Sequence, residues 1–229
     1  MATLADRFFA ISRKLSDRSA YLTLFTSHVS HELKSPLTSI QGAAELLRDQ
    51  GDSMTDDRRR HFLANIIEDT ERLSLLSQRL RDLGRAETAD TSGSCRLDAV
   101  VERAASLAGL AHETRGAGGV VLAMSDENAD IVFQQLALNA QQHGATTLTV
   151  TAESEASRCL VRTGDNGAPI SEGNRDKVFD PFFTTRRDGG GTGMGLGIAR
   201  AMLEAHGGAI DLCQPGDQFK FLMRIPVRI

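Results

Sequence analysis

The segment from His28 to Leu37 reads His-Val-Ser-His-Glu-Leu-Lys-Ser-Pro-Leu and places a nucleophile beside a carboxylate. A neutral imidazole nitrogen is a competent nucleophile near pH 7, because its reference pKa is about 6.5. His31 falls beside an apolar heptad stripe, which predicts a helical position that faces solvent. Glu32 can accept the proton of the other ring nitrogen. His28 is the competing nucleophile, and Pro36 predicts a bend just past the site.

The second half of the chain contains four separated fragments that together could bind a nucleotide. Gly189 to Gly197 is rich in glycine, so its backbone N–H groups could cradle phosphates at the start of the next helix. Asn139 offers a hard carbonyl oxygen for Mg²⁺, and Asp165 follows a strand and could accept a hydrogen bond from an exocyclic amine. Phe179 to Phe183 is an aromatic loop that could anchor a mobile flap. Each fragment alone also fits a plain turn, a packed loop or a linker, and no Gly-Lys-Ser/Thr follows to make a P-loop.

Two apolar stripes in the first ~85 residues predict two long helices. The first stripe comprises Leu4, Phe8, Ile11, Leu15, Leu22, Phe25 and Val29, and the second comprises Phe62, Ile66, Asp69, Leu73, Leu76, Leu80 and Leu83. Between them, Gly51 is predicted to stop the first helix and Thr55 to cap the second. One helical hairpin has too little core to be stable alone, whereas two hairpins form a four-helix bundle. The sequence therefore predicts a homodimer.

The small, polar stretch from Ala86 to Ser94 predicts a linker, after which helices alternate with strands. We expect helices at 97–110, 129–143 and 196–206. We expect strands at 120–124, 148–151, 159–162, 209–212 and 219–225. This order predicts an α+β sandwich with its helices on one face of the sheet.

Composition narrows the classes of partner. The formal net charge of −4 and the aromatic content of 5% argue against nucleic acid and anionic membrane surfaces. No apolar run approaches the ~20 residues that span a bilayer, and the first ten residues lack the apolar core of a signal peptide. We therefore expect this part of the protein to be cytoplasmic and to bind no nucleic acid.

The His-Glu-Leu-Lys-Ser-Pro-Leu segment resembles the H box of bacterial sensor histidine kinases. The four later fragments resemble, in order, the N, G1, F and G2 boxes of the ATP-binding domain of that family. This domain is of the GHKL type, which gyrase and MutL share. The resemblance covers about 200 of the 229 residues. It implies a signal helix of the coiled-coil or HAMP type at 1–20, a dimerisation and phosphotransfer domain at 21–85, a linker at 86–95 and an ATP-binding catalytic domain at 96–229.

The resemblance also implies a role for each matching residue. His31 would be phosphorylated with Glu32 as base, Asn139 would hold Mg²⁺ and Asp165 would read adenine, beneath a lid at roughly 183–190. The implied nucleotide site comprises Gln135, Asn139, His143, Asp165, Gly167, Phe179, Phe183, Arg186, Gly191, Thr192, Gly193, Met194, Gly195 and Leu196. The cofactors would be ATP and Mg²⁺.

Four positions depart from the family pattern. Gln135 replaces the first asparagine of the N box, and Gln142 replaces a basic residue, which removes one charge contact to phosphate. Pro169 replaces the second glycine of the G1 box and stiffens that turn. Arg186 or Arg187 could supply the lost charge. Ser35 stands where strongly phosphatase-active relatives carry Thr or Asn, and its hydroxyl could still orient a water.

The expected function is therefore ATP-dependent autophosphorylation of His31, followed by transfer to an aspartate on the receiver domain of a response regulator. Phosphatase activity toward that regulator is a further expectation. The resemblance also implies a longer parent protein, anchored in the bacterial inner membrane through a sensor region. Two alternatives remain open: a GHKL ATPase without phosphotransfer, and a dimeric phosphotransfer or scaffold protein whose ATP domain is degenerate.

Overall fold

The computed structural model describes residues 4–88, 90–155, 157–186 and 191–228, with side chains described from Phe25 onward except those of Asp52 and Glu87. The chain divides into two compact units, Met1–Ser77 and Gln78–Ile229. The last turns of the second helix therefore belong to the second unit.

The first unit is a helical hairpin, as predicted. Helix α1 runs through Leu4–Gln50, a short 3₁₀ turn covers Gly51–Ser53, and helix α2 begins at Asp56 and extends to Glu87. The predicted stop at Gly51 and the predicted cap are confirmed, because the backbone N–H of Arg58 donates to Thr55 Oγ1 at 3.4 Å. Helix α1 continues without a break through the buried Pro36. Most of the first apolar stripe lies outside the described side chains.

The second apolar stripe is covered within a single chain. Leu76 is 2% exposed, and Phe62, Ile66, Leu73, Leu80 and Leu83 are half-buried. Large apolar side chains one position away are exposed instead, with Leu63 at 47% and Ile67 at 60%. Among the described residues, no helix combines the length and apolar character needed to cross a bilayer.

The second unit is built on a five-stranded sheet in the order β2-β4-β5-β7-β6. The strands are β2 (Ala111–Arg115), β4 (Thr147–Glu155), β5 (Arg158–Asp165), β6 (Ala209–Leu212) and β7 (Phe221–Pro226). Strand β2 pairs in parallel with β4, and the other pairs are antiparallel. A small second sheet pairs β1 (Cys95–Arg96) with β3 (Val121–Leu122).

Three helices pack on the sheet: α3 (Leu97–Leu107), α4 (Asp126–Gln142) and α5 (Gly195–Ala205). Buried positions alternate along β4, β5 and β7, as expected for a sheet with one covered face. The predicted α+β sandwich is therefore confirmed.

Several of the helix boundaries predicted from the sequence were wrong, and one strand was missed. Helix α3 ends at Leu107 rather than at 110, because Gly109 adopts a left-handed φ of 65° that a helix cannot continue through. Helix α4 begins at Asp126 rather than at 129, because the Ser125 side chain accepts a hydrogen bond from the N–H of Asn128. Helix α2 extends into the predicted linker as far as Glu87. Strand β2 was missed, since all five of its residues are exposed and show no apolar alternation.

Candidate functional site

Helix α1 presents the candidate phosphoacceptor to solvent. His31 is exposed, Glu32 is half-buried, and Ser35 is exposed one turn further along the helix. Arg72 on helix α2 holds the carboxylate of Glu32, with 3.7 Å between Arg72 Nη2 and Glu32 Oε2. The hairpin thus fixes a carboxylate next to an accessible imidazole. His28 is also exposed, so exposure alone does not distinguish the two histidines.

The second unit contains a cavity of about 350 Å³. The predicted site residues that line it are Gln135, Asn139, His143, Phe183, Arg186, Gly191, Thr192, Gly193, Gly195 and Leu196. Gln142 and Pro169, two of the departures from the family pattern, also line it. The structure therefore brings together residues that are as much as 61 positions apart in the sequence. Arg187, Gly189 and Gly190 of the predicted lid lie outside the described residues.

One face of helix α4 forms a wall of this cavity. Gln135, Asn139 and His143 follow one another at four-residue spacing, which stacks them along a single face. Burial, together with the positive charges of Lys220 and Arg186, lowers the pKa of His143 below its usual value, although Asp165 acts in the opposite direction. The imidazole is therefore neutral at pH 7. This wall offers carbonyl oxygens and one neutral ring.

The glycine run forms the end of the cavity at the start of helix α5, which begins at Gly195. A Cβ atom at Gly195 would lie 2.7 Å from Gln135 Oε1, and one at Gly193 would lie 2.3 Å from the carbonyl carbon of Phe182. Gly193 also adopts a left-handed φ of 66°. A side chain is therefore excluded at Gly193, whereas one at Gly195 would displace the Gln135 amide from the cavity. The glycine run thus brings backbone and the start of a helix to the cavity.

The aromatic loop contributes one ring to the cavity and one to the core. Phe183 lines the cavity, whereas Phe179 packs edge-on against Phe221, with 6.2 Å between ring centroids. The guanidinium of Arg200 lies 5.1 Å from the Phe179 centroid. Phe182 adopts a left-handed φ of 65°, which is unfavourable for a bulky residue. Phe179 and the buried Met194 do not line the cavity, so they support the loop and the glycine run from behind.

Asp165 ends strand β5, and its side chain is only 4% exposed. Its Oδ1 accepts hydrogen bonds from Lys220 Nζ at 2.6 Å and from the N–H of Gly167 at 2.8 Å. A Cβ atom at Gly167 would lie 2.7 Å from the carbonyl oxygen of His143, so the turn requires glycine. Asp165 does not line the cavity, whereas Lys220 does. The ammonium group of Lys220 thus lies at the cavity directly beside the predicted adenine reader.

Two cationic residues that line the cavity, Lys220 and Arg79, were not predicted from the sequence. Arg79 is 6% exposed and donates from Nη1 to the hydroxyl of Thr192. Burial lowers the pKa of Arg79, and the nearby charge of Asp82 offsets part of this effect. Neither residue lies in a recognisable motif. A lysine in the loop just before strand β7 and an arginine in a charged helix are ordinary surface residues as far as sequence pattern is concerned.

Comparison with known families agrees with this geometry. Residues 21–89 match the His Kinase A (phospho-acceptor) domain, and residues 125–229 match the histidine kinase-, DNA gyrase B-, and HSP90-like ATPase family. The chain is 29% identical over 218 residues to the alginate biosynthesis sensor protein KinB of Pseudomonas aeruginosa. The aligned region covers 89% of this chain and 36% of KinB. It spans half or less of the length of KinB and of the sensor protein IrlS of Burkholderia pseudomallei.

Solved structures share the fold. Histidine kinase ThkA, in its complex with the response regulator protein TrrA, matches with a TM-score of 0.70 at 21% identity, covering 100% of this chain and 68% of ThkA. Full-length ShkA in complex with AMPPNP matches with a TM-score of 0.61 at 20% identity, covering 91% of this chain and 46% of ShkA. With a phospho-acceptor hairpin followed by an ATPase domain of this type, the chain belongs to the two-component sensor histidine kinases.

Proposed function

We propose that this chain uses ATP·Mg²⁺ to phosphorylate its own His31 and then passes the phosphoryl group to an aspartate on the receiver domain of a response regulator. The observation that supports this most directly is the pairing of two parts in one chain. One is the exposed His31 with the half-buried Glu32 beside it on a helical hairpin, and the other is a cavity bordered by a glycine run. A phosphate-binding ATPase alone would not need the first part.

The residues of the cavity fit a magnesium nucleotide. The glycine run and the start of helix α5 suit phosphates, and the amide oxygens of Gln135 and Asn139 are hard ligands of the kind that Mg²⁺ prefers. Magnesium would offset the charge on the phosphate that is transferred. The cationic Arg186 and Arg79 line the same cavity, so they compensate for the charge that Gln142 lacks. The AMPPNP bound to ShkA, which has the same fold, supports this choice of ligand.

In the proposed reaction, an imidazole nitrogen of His31 attacks the γ-phosphorus, and the bond between that phosphorus and the β,γ-bridging oxygen breaks to release ADP. Glu32 accepts the proton from the other ring nitrogen, and Arg72 keeps the carboxylate in place. The receiver aspartate then attacks the phosphohistidine. The complex of ThkA with TrrA supports a response regulator as partner. In the proposed phosphatase activity, the exposed hydroxyl of Ser35 would orient a water that hydrolyses the phosphoaspartate of the regulator.

Labelling with γ-³²P-ATP and Mg²⁺ tests this proposal and separates it from its rivals. The expected product is a labelled protein whose label is labile in acid and stable in alkali, as phosphohistidine is. Free phosphate without labelled protein would indicate a GHKL ATPase. Neither product, together with no nucleotide binding, would indicate a degenerate scaffold. Either of these last results would refute the proposed kinase activity.

We further propose that two hairpins pair into a four-helix bundle. Among the described side chains of the hairpin, five large apolar ones are exposed in a single chain: Leu37, Leu46, Leu63, Ile67 and Leu75. Burying each one against a second copy would contribute roughly 1.5–3 kcal/mol. The stripe predicted from sequence is already covered within one chain, so the neighbouring face with Leu63 and Ile67 is the one left for the partner.

Replacing Ile67 with Asp should weaken the dimer by about 100-fold or more, because a carboxylate would be buried without a partner. Light scattering across a concentration series measures the change. Leu107→Asp is the matched control, because Leu107 is 58% exposed but lies on helix α3 of the second unit. A monomer mass for the parent chain at micromolar concentration, or equal weakening by both substitutions, would rule out this interface.

Replacing Asp165 with Asn should weaken ATP binding by about one to two decades. The substitution offers a donor where the adenine amine needs an acceptor, and it removes the ion pair with Lys220. A mispaired buried polar group costs about 1–3 kcal/mol. Titration with ATP and GTP measures the effect, and discrimination between the two bases should shrink. Asp176→Asn, the same change at an exposed carboxylate that does not line the cavity, is the control, and unchanged ATP binding in Asp165→Asn would place the adenine reader elsewhere.

Since the chain spans half or less of its curated relatives, we assign signal reception to a region outside it. The proposed organisation is a membrane-anchored sensor joined through helix α1 to the kinase core. A chimera that joins the sensor region of a known relative to helix α1 would test this, because its kinase activity should then respond to that sensor's stimulus.

A further inference from the structure

Lys220 is held at the inner end of the cavity by groups that fix its ammonium. Its Nζ donates to Asp165 Oδ1 at 2.6 Å and to the carbonyl oxygen of Ala168 at 2.8 Å. The side chain of Lys220 is 14% exposed, and it lines the cavity. The lysine therefore extends its ammonium inward against strand β5, where two acceptors hold it in one orientation.

The ammonium retains donor capacity toward the cavity. Lysine carries three N–H donors, and Asp165 and Ala168 use two of them at normal hydrogen-bond distances. The third contact, to the carbonyl oxygen of Gly167, is 3.5 Å long and correspondingly weak. Among the described residues, no hydrogen bond reaches Asp165 Oδ2. A ligand that enters this end would thus meet one N–H donor and one carboxylate acceptor side by side.

This end of the cavity is the one that a base would occupy. The glycine run lies beside Gln135, where a Cβ atom on Gly195 would approach the side-chain oxygen. At the other end, the backbone N–H of Ala168 donates to the carbonyl oxygen of His143. Gln135 and His143 are eight residues apart on one helix face, which corresponds to about 12 Å along the axis. With the phosphates at the glycines, the purine edge farthest from the ribose would reach Lys220. In adenine, that edge carries the exocyclic amine and the ring nitrogen N1.

We propose that Lys220 is a base-recognition residue, which donates a hydrogen bond to N1 of adenine while Asp165 accepts one from the adjacent amine. This inference rests on the proposed ATP site and adds a second contact to it. The donor and acceptor together match the edge of the base as a pair. In guanine the same edge would present a carbonyl oxygen to Asp165 and a ring N–H to Lys220, so both contacts would be mismatched. Lys220 therefore adds to the preference for ATP over GTP.

The decisive probe is 1-deaza-ATP, in which a C–H group replaces N1 and removes the acceptor. The full chain should bind 1-deaza-ATP at least about tenfold more weakly than ATP, because a hydrogen bond from a charged donor is lost. Lys220→Met should bind ATP about tenfold more weakly than the parent and should no longer distinguish ATP from 1-deaza-ATP. Its GTP affinity should not fall, so its discrimination between ATP and GTP should shrink. Calorimetric titration of each variant with the three nucleotides gives all of these ratios.

Two further variants test whether the loss of affinity is specific to the charged donor at Lys220. Lys177→Met removes the same charge from an exposed lysine that does not line the cavity, and it should retain the parent's ratios. Lys220→Gln keeps a neutral donor and should distinguish ATP from 1-deaza-ATP less than the parent does. If Lys220→Met does not fold, the parent's own ratio still decides the question, because the probe leaves the protein unchanged.

The outcomes separate this inference from the function on which it rests. If the parent binds ATP and 1-deaza-ATP equally, or if Lys220→Met still distinguishes them, Lys220 is not the donor to N1 and the proposed ATP site stands. If the parent binds none of the three nucleotides, the proposed function fails and takes this inference with it. A tenfold ratio that disappears in Lys220→Met and persists in Lys177→Met supports the assignment.

Discussion

His31→Gln should reduce autophosphorylation below detection, a fall of at least about 10³-fold, because the covalent phosphohistidine can no longer form. ATP affinity should stay nearly unchanged, since His31 lies in the first unit and the cavity lies in the second. Glutamine keeps the length and polarity of the side chain, so the exposed helical position tolerates it. The measurement is the rate of acid-labile labelling from γ-³²P-ATP, together with an ATP titration of the same preparation.

His28→Gln is the matched control for this experiment. Both histidines are exposed on helix α1, three residues apart, so the two substitutions disturb the helix to a similar extent. His28→Gln should keep its acid-labile label. Loss of label in His28→Gln with retention in His31→Gln would move the phosphoacceptor role to His28. Loss of both label and ATP binding in His31→Gln would indicate damage beyond the first unit.

The hairpin could be predicted because its signals are local. Gly51 follows the last helical residue of α1, and Thr55 caps α2 through a bond to a residue three positions later. Such contacts involve neighbours in sequence, so residue type and spacing determine them. The glycine run could also be predicted, because its composition alone marks it, and the structure excludes a side chain at Gly193, where a Cβ atom would lie 2.3 Å from the carbonyl carbon of Phe182. The apolar face of the hairpin that remains for a partner could not be predicted, because the degree to which the stripe is covered depends on the packing of the whole unit.

The cationic residues of the cavity could not be predicted, because their roles depend on pairing between distant strands and helices. Lys220 reaches Asp165 only because β7 pairs with β5 and brings the two residues, 55 positions apart, to one edge of the sheet. Strand β2 is a similar case, since its exposed residues acquire strand geometry from their pairing with β4. The motif assigned the adenine end to Asp165, and the fold places the ammonium group of Lys220 directly beside that carboxylate.

Asn139→Ala should lower the rate of phosphoryl transfer by about 10²-fold or more while weakening nucleotide binding much less in the absence of Mg²⁺. Transfer of a phosphoryl group depends mainly on positioning and charge stabilisation, so the loss of a metal ligand acts mostly on the transition state. Asn139 lies on the cavity face of helix α4 between Gln135 and His143, and alanine there is compatible with the helix.

The experiment is a pair of ATP titrations, with and without Mg²⁺, followed by single-turnover labelling at saturating ATP. Gln142→Ala is the control, because Gln142 lines the same wall and also carries an amide. Its effect should be small and should not depend on Mg²⁺. For Asn139→Ala, the affinity gained from Mg²⁺ should largely disappear, and added Mn²⁺, which accepts similar oxygen ligands, should restore part of the rate. If both substitutions lower the rate equally and independently of the metal, Asn139 shapes the cavity wall without holding the ion, and the metal ligand must then be sought at Gln135, one turn earlier on the same face.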